Sequence, residues 1–435
     1  MTTTDAHPGL FGAVRRRVRP AAALLAAAAV VACGDVDSTS QSASSTPVAG
    51  AGSRAVSVGA NTPNPPHTLT LSSTILGETR RIYVQLPEGY ARSRARYPVV
   101  VVLDGEWLFE LARAQVRFSS EFAAMDPSIP RMIVVGIEST DRDRDFTPTG
   151  DSGWEHDFQT AGGADEFLGF VAGELLPFVD RSYRTSPGRL IVGWSFGGLL
   201  AMYSAVAVPD LFNAHLCISP AIWWDSDLVL ERFVDLRFDR PKRMVVTVGT
   251  GEEGGMVHTS TMRIMDRFDG DPVDNLDVAL IEIEGVGHSW GIPAALDRGL
   301  RTLFRDFVMP EEDAATLEAV DAYYHDLSRS WGFDVDPPEA VMFRLASAQE
   351  DKEESIAIID RLLASEPAAS MAHFYKGRFQ QKLGRCDEAV ESYREALAAE
   401  QLREAPNGLR LRWYREAIEE ISGLGRTPES PDRGV

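Results

Sequence analysis

The stretch Leu190-Ile-Val-Gly-Trp-Ser-Phe-Gly-Gly-Leu-Leu-Ala-Met-Tyr-Ser-Ala205 sets an apolar run, a glycine-flanked serine and a helix-forming run in immediate succession. Leu190–Val192 predicts a buried strand and Gly198–Val206 a helix. Between them the chain must reverse within Gly193-Trp194-Ser195-Phe196-Gly197, and the two glycines leave room where a Cβ would clash. Such a turn carries Ser195 to its tip in a strained conformation. The helix N-terminus then points at the site and favours negative charge there. This pattern predicts Ser195 as the nucleophile of a serine hydrolase.

Outward from this point the chain alternates. Thr68–Thr74 and Arg80–Leu86 alternate apolar and polar residues around Leu76-Gly77-Glu78, predicting an antiparallel hairpin. Pro98–Leu103, Met132–Val135, Leu190–Val192, His215–Ile218, Met244–Val248 and Val278–Ile281 are short continuous apolar runs, which read as buried parallel strands. Helical stretches at Asp165–Phe178, Gly198–Val206 and Ala294–Phe307 separate most of them. Strand and helix in alternation predict an α/β fold, a mostly parallel central sheet with helices on both faces.

A serine hydroxyl needs a base to take its proton. Of the eight histidines, His288 in Gly285-Val-Gly-His-Ser-Trp290 follows the last predicted strand and precedes the last helix of the sheet region. That position makes it the predicted base. His215 starts a buried strand and reads as a core residue, while His156 and His258 are loop candidates. The acid should lie between Ser195 and His288 in chain order. The Gly249-Thr-Gly-Glu252-Glu253-Gly-Gly loop after the strand Met244–Val248 offers two carboxylates there, either able to accept the second imidazole N–H. Backbone N–H groups for an oxyanion hole are expected from Phe196 and from the Asp104-Gly105-Glu106-Trp107 loop, with Glu106 the first choice and Trp107 the alternative.

Several blocks in a fixed order resemble the putative-esterase family of α/β-hydrolases, and within it the siderophore-esterase-like and esterase D-like branch. They are Tyr97-Pro-Val-Val…Leu103-Asp-Gly105, the Arg142–Pro148 loop, Gly162-Gly-Ala-Asp-Glu-Phe167, Gly193–Gly197, Ser219-Pro-Ala-Ile-Trp-Trp224 and Gly-His288. The resemblance covers about residues 66–310. It implies an α/β-hydrolase fold and ester hydrolysis through an acyl-enzyme, with no metal and no organic cofactor. It also implies a glutamate at the fourth position of a Gly-x-x-Glu stretch as the acid, which selects Glu252. Trp107, Trp194, Trp223 and Trp224 are candidates to line the substrate pocket; Trp223 and Trp224 could equally pack beneath the site loops. Thioesterase, acyltransferase or peptidase chemistry would use the same residues.

The ends of the chain read differently. Arg15, Arg16, Arg17 and Arg19 precede the apolar stretch Ala21–Ala32, a secretory signal pattern too short to span a bilayer as a mature helix. Its end, Val30-Val31-Ala32-Cys33, resembles a bacterial lipobox, so residues 1–33 predict an exported protein lipid-anchored at Cys33, facing the periplasm or the cell surface; a plain signal peptide is the alternative. Residues 34–65 read as a flexible linker. From 311 to 426 the chain predicts only helices. Gly377, Ala389, Tyr393 and Ala396 resemble a tetratricopeptide motif, and Ser355, Ile359 and Leu362 occupy matching slots about 34 residues earlier, with Pro367 closing that unit. A generic helical bundle is the alternative, and 427–435 reads as a disordered tail.

Acidic residues outnumber basic ones by 64 to 43, a net charge of −21. That field disfavours nucleic acid and anionic membrane surfaces, leaving membrane contact to the lipid anchor. Cys217 and Cys386 fall in different regions and read as separate buried residues, not a disulfide. The expected partner is a small-molecule ester, with the helical tail a possible site for a protein. The competing reading is a membrane-tethered binding or scaffold protein whose hydrolase domain is vestigial.

Overall fold

The computed structural model describes residues 66–122, 127–150, 153, 157–234, 236–403 and 406–422. The signal and lipobox ending at Cys33, the linker 34–65, His156 and the tail 427–435 lie outside the described residues.

Among the described residues, eight strands build one sheet: β1 (His67–Ser72), β2 (Thr79–Gln85), β3 (Tyr97–Val102), β4 (Ile133–Ile137), β5 (Thr185–Trp194), β6 (Ala214–Ile218), β7 (Arg237–Gly249) and β8 (Asp274–Ile283). Their order across the sheet is β1-β2-β4-β3-β5-β6-β7-β8. The hairpin β1–β2 and the pair β2–β4 are antiparallel, and every other pair is parallel. The continuous apolar runs follow from burial on both faces. Along β3, Val100 and Val102 enter one core while Val99 and Val101 enter the other. The exception is β8: its run Val278–Ile281, expected to be buried, is half-buried, because β8 closes the sheet and has a neighbour on one side only.

Eight described helices accompany the sheet: α1 (Gly105–Arg117), α2 (Arg142–Phe146), α3 (Ala164–Phe170), α4 (Leu176–Ser182), α5 (Phe196–Ala207), α6 (Leu228–Arg232), α7 (Met256–Gly270) and α8 (Ile292–Leu303). α1 and α8 pack on one face; α3, α4, α5 and α7 pack on the other. The helix expected over Asp165–Phe178 is α3 and α4 joined through a π-helical turn at Val171–Leu175. The one expected over Ala294–Phe307 starts two residues earlier and stops at Leu303.

Six further described helices follow: α9 (Leu317–Trp331), α10 (Glu339–Ala348), α11 (Lys352–Ser365), α12 (Ser370–Lys382), α13 (Cys386–Gln401) and α14 (Gly408–Ser422). They share a core with the α1/α8 face of the sheet. Trp331 joins the two regions: its ring lies 5.1 Å from Phe304, Arg243 stacks over it at 5.2 Å, and its carbonyl accepts from Asn213 Nδ2 at 3.2 Å. Ser355, Ile359 and Leu362 are buried on α11, as are Ala389, Tyr393 and Ala396 on α13. A Cβ on Gly377 would stand 2.6 Å from the Tyr393 ring, so only glycine permits that approach of α12 to α13. Cys217 is buried within β6, whereas Cys386, expected to be buried, is exposed on the first turn of α13.

Candidate active site

The parallel strands deliver their C-terminal ends to one edge, and the candidate residues lie in the loops that leave it. β5 ends at Trp194 and α5 begins at Phe196, so Ser195 alone makes the reversal, at φ 59° and ψ −116°. An L-residue adopts such a backbone only when its surroundings impose it. Here the Ser195 N–H donates to Ile218 O at 3.0 Å, and its carbonyl accepts from Leu199 N at 2.9 Å and Ala221 N at 3.0 Å. A Cβ on Gly193 would stand 2.0 Å from Gly197 O, so the tight reversal excludes any side chain there.

His288 sits in the turn between β8 and α8. Its Nδ1 lies 2.6 Å from Glu252 Oε2. The turn is tied to the serine loop, since Trp194 Nε1 donates to His288 O at 3.0 Å and the two rings lie 5.1 Å apart. No hydrogen bond joins the Ser195 hydroxyl to His288 among the described residues. Contacts of this kind commonly tighten only with substrate bound.

Of the two adjacent carboxylates, Glu252 meets the imidazole, and Glu253 is exposed. The Glu252 side chain is 7% exposed, and its other oxygen accepts from Ser219 Oγ at 2.7 Å and Gly249 N at 3.0 Å. Burial pushes its pKa upward, but the hydrogen bonds from His288, Ser219 and Gly249 outweigh it and hold the carboxyl below the usual value of 4.5. Ser219, which sequence reasoning did not single out, is held at φ 40° just beyond β6. Its only trace in the sequence was its place in the Ser219–Trp224 block.

The first turn of α1 differs between its two oxyanion candidates. The Trp107 N–H donates to Asp104 O at 2.9 Å, which occupies it within the helix cap. The Glu106 carboxylate accepts from Ser139 N at 3.0 Å and from its own backbone N–H, while burial raises its pKa. The four tryptophans diverge. Trp107 is 61% exposed, Trp194 is half-buried against His288, and Trp223 is half-buried against Phe196. Trp224 is 1% exposed and packs edge-on against Phe158 and Phe196, so it supports the site loops from beneath. Trp290, two residues past His288 and 86% exposed, was not anticipated. Away from the site, His215 is buried on β6 with Nδ1 2.9 Å from Ala201 O, and burial lowers its pKa to about 3. It is a core residue.

An eight-stranded, mostly parallel sheet with a serine at the turn into α5 and an acid–histidine pair across the strand ends places this chain among the α/β-hydrolases. Comparison with known proteins makes the class specific. Residues 73–266 match the model of the family described as "Putative esterase". The ferri-bacillibactin esterase BesA of Bacillus subtilis is 27% identical over 251 residues, spanning 53% of this chain and 86% of that protein. A siderophore enterobactin esterase of Emericella nidulans is 33% identical over 147 residues, 30% of this chain and 48% of that one. Among solved structures, an IroE-like serine hydrolase from Shewanella oneidensis superposes with a TM-score of 0.58 at 28% identity, covering 73% of this chain and 99% of its own. An uncharacterised protein from Capnocytophaga ochracea shares the fold at 17% identity and TM-score 0.54, over 82% of this chain and all of its own. These likenesses make the chain an esterase of the α/β-hydrolase type, an ester-hydrolysing enzyme whose residues 73–266 match that family's model.

Proposed function

We propose that the enzyme cleaves carboxylic esters through an acyl-enzyme formed on Ser195, with His288 as the base and Glu252 as its acid partner. Ser195 Oγ attacks the ester carbonyl carbon while His288 Nε2 takes the hydroxyl proton. Glu252 accepts the Nδ1 hydrogen bond and stabilises the imidazolium that forms. The tetrahedral oxyanion is held by the backbone N–H groups of Phe196 and Glu106. Collapse expels the alcohol, which takes its proton from His288. Water then attacks the acyl carbon by the same route in reverse, releasing the acid and restoring Ser195. The observation that carries this reading is the 2.6 Å pair of His288 and the buried Glu252, in a turn hydrogen-bonded to the residue before Ser195.

The substrate proposed is a small-molecule ester of the siderophore type, supported by the likeness to siderophore esterases. Trp107, Trp194 and Trp223 would line its approach. The protein is proposed to be exported and lipid-anchored through Cys33, with residues 34–65 as the tether; no described helix is long and apolar enough to cross a membrane. The tetratricopeptide-like reading of α10–α13 is supported by the matching buried positions on α11 and α13, and protein partners remain a proposal for that region.

The test is turnover of p-nitrophenyl acetate and of enterobactin by the wild type and by Ser195→Ala. Loss of about 10³-fold or more in kcat for the variant is expected. Turnover within tenfold of wild type by a folded Ser195→Ala would overturn the reading.

A further inference from the structure

Arg142 opens α2, and its guanidinium bridges two loops of the candidate site through Nε and Nη2. Nε donates to Asp104 Oδ1 at 2.8 Å and Nη2 to Asp104 Oδ2 at 3.0 Å, a bidentate pair. Nη2 also donates to the Trp194 carbonyl at 2.9 Å. The rings of Phe146, Trp194 and Phe196 surround its carbon at 5.5–5.6 Å. Asp104 is wholly buried, accepts from Ser139 Oγ at 3.0 Å, and holds a left-handed conformation at φ 52°. Its carboxylate also lies against the serine turn, with Oδ2 3.3 Å from where a Cβ on Gly197 would stand.

One side chain therefore binds the residue immediately before Ser195 to the residue two before Glu106. α2 is anchored from behind in turn. Arg80, fully buried on β2, pairs with Asp145 at 2.7 Å and with Glu78, and Arg144 pairs with Glu78 at 2.7 Å. Nothing in the proposed reaction uses Arg142 as acid, base or nucleophile. What it can control is distance. Two N–H donors from different loops stabilise an oxyanion only when both stand about 3 Å from it.

We propose that Arg142 is the positioning residue of the oxyanion hole: its forked guanidinium sets the β3–α1 loop, with the Glu106 N–H, at a fixed distance from the serine turn, with the Phe196 N–H. The proposal rests on the reading of those two N–H groups as oxyanion donors. A lysine cannot replace it, because a single ammonium cannot span both carboxylate oxygens and the carbonyl in one plane.

The experiment compares the full chain with Arg142→Ala, Arg142→Lys and the double variant Arg142→Gln/Asp104→Asn, which leaves no unpaired buried carboxylate. Each is assayed for kcat and KM on p-nitrophenyl butyrate, for inhibition by an alkyl trifluoromethyl ketone, for melting temperature, and for rescue by methylguanidinium. Arg142→Ala is expected to lose about a hundredfold in kcat with KM within threefold. The ketone's inhibition constant should rise by the same factor as kcat/KM falls, because both report the oxyanion. Methylguanidinium should restore at least tenfold of the lost kcat, and Arg142→Lys should remain impaired. If Arg142→Ala does not fold, the double variant must show the same paired loss. A folded variant with kcat within threefold of wild type, or with ketone inhibition unmoved, overturns the proposal. Ser195→Ala in the same assay separates the two claims: an inactive Ser195→Ala beside fully active Arg142 variants sinks this inference alone.

Discussion

In the sheet unit, five described non-glycine residues hold positive φ: Asp104, Ser195, Ser219, Asp225 and Asn275. In the helical extension the positive-φ positions among the described residues are Gly332 and Gly384, where glycine carries no Cβ penalty. Asp104, Ser195 and Ser219 follow the ends of β3, β5 and β6, so unfavourable backbone gathers where the strands hand over to the site loops. Within the extension, Thr316 and Asp351 cap α9 and α11 through their side chains. One region stores strain and presents polar groups; the other supplies relaxed packing. The shared core at Trp331 couples them.

The sharpest way to break this contrast is at Ser195. Replacement by glycine should abolish turnover, by about 10³-fold or more, while raising stability by about 1 kcal/mol as the strain is relieved. A melting temperature lower than wild type would contradict the assignment of strain. Next comes the acid. Glu252→Gln should reduce kcat by about 10²–10⁴-fold, and Glu253→Gln should stay within twofold in the same p-nitrophenyl ester assay; equal losses would erase the distinction between buried and exposed carboxylates.

The coupling is tested at Trp331. Trp331→Ala should cost about 3–5 kcal/mol and lower the temperature of a single calorimetric transition. Two separate transitions in the wild type would show that the regions melt independently.

The smallest effect compares two buried glutamates by pH. Glu252 has a depressed pKa in the folded state, so its stabilisation is present above 4.5 and is lost as pH falls through the lower folded value. Glu121 has the opposite sign. It lines a cavity of about 220 Å³ between the sheet unit and the extension, and burial raises its pKa to about 7. The folded state therefore binds its proton more tightly, and stability is lost as pH rises from about 4.5 to 7. Glu121→Gln should be more stable than wild type at pH 8 by about 1–3 kcal/mol, with no gain at pH 4. Denaturant titrations at both pH values measure this, and an equal gain at both would remove the titration as its cause.

Much of the fold was legible because burial on both sheet faces leaves continuous runs such as Val99–Val102 and Val245–Val248. α1 and α7 were not. α1 opens on a glycine and α7 buries Ser260 and Thr261 along with Ile264 and Phe268, which blurs the apolar period. The candidate site was legible at Ser195 and His288, whose neighbours in sequence dictate their turns. Glu252 needed the family resemblance, since the loop offers two adjacent glutamates and only the folded backbone turns one inward. Arg142 and Ser219 left only their membership of recurring blocks, because their roles depend on Asp104 and Glu252, 38 and 33 residues away.

The central claim is that Ser195 carries the acyl group. Intact-mass and peptide mass spectrometry of the full chain after reaction with a fluorophosphonate tests it most directly. A single stoichiometric adduct on the peptide containing Ser195 is expected, absent from Ser195→Ala and formed far more slowly in Glu252→Gln. An adduct at another residue, or no adduct in an enzyme that still turns over esters, would contradict it.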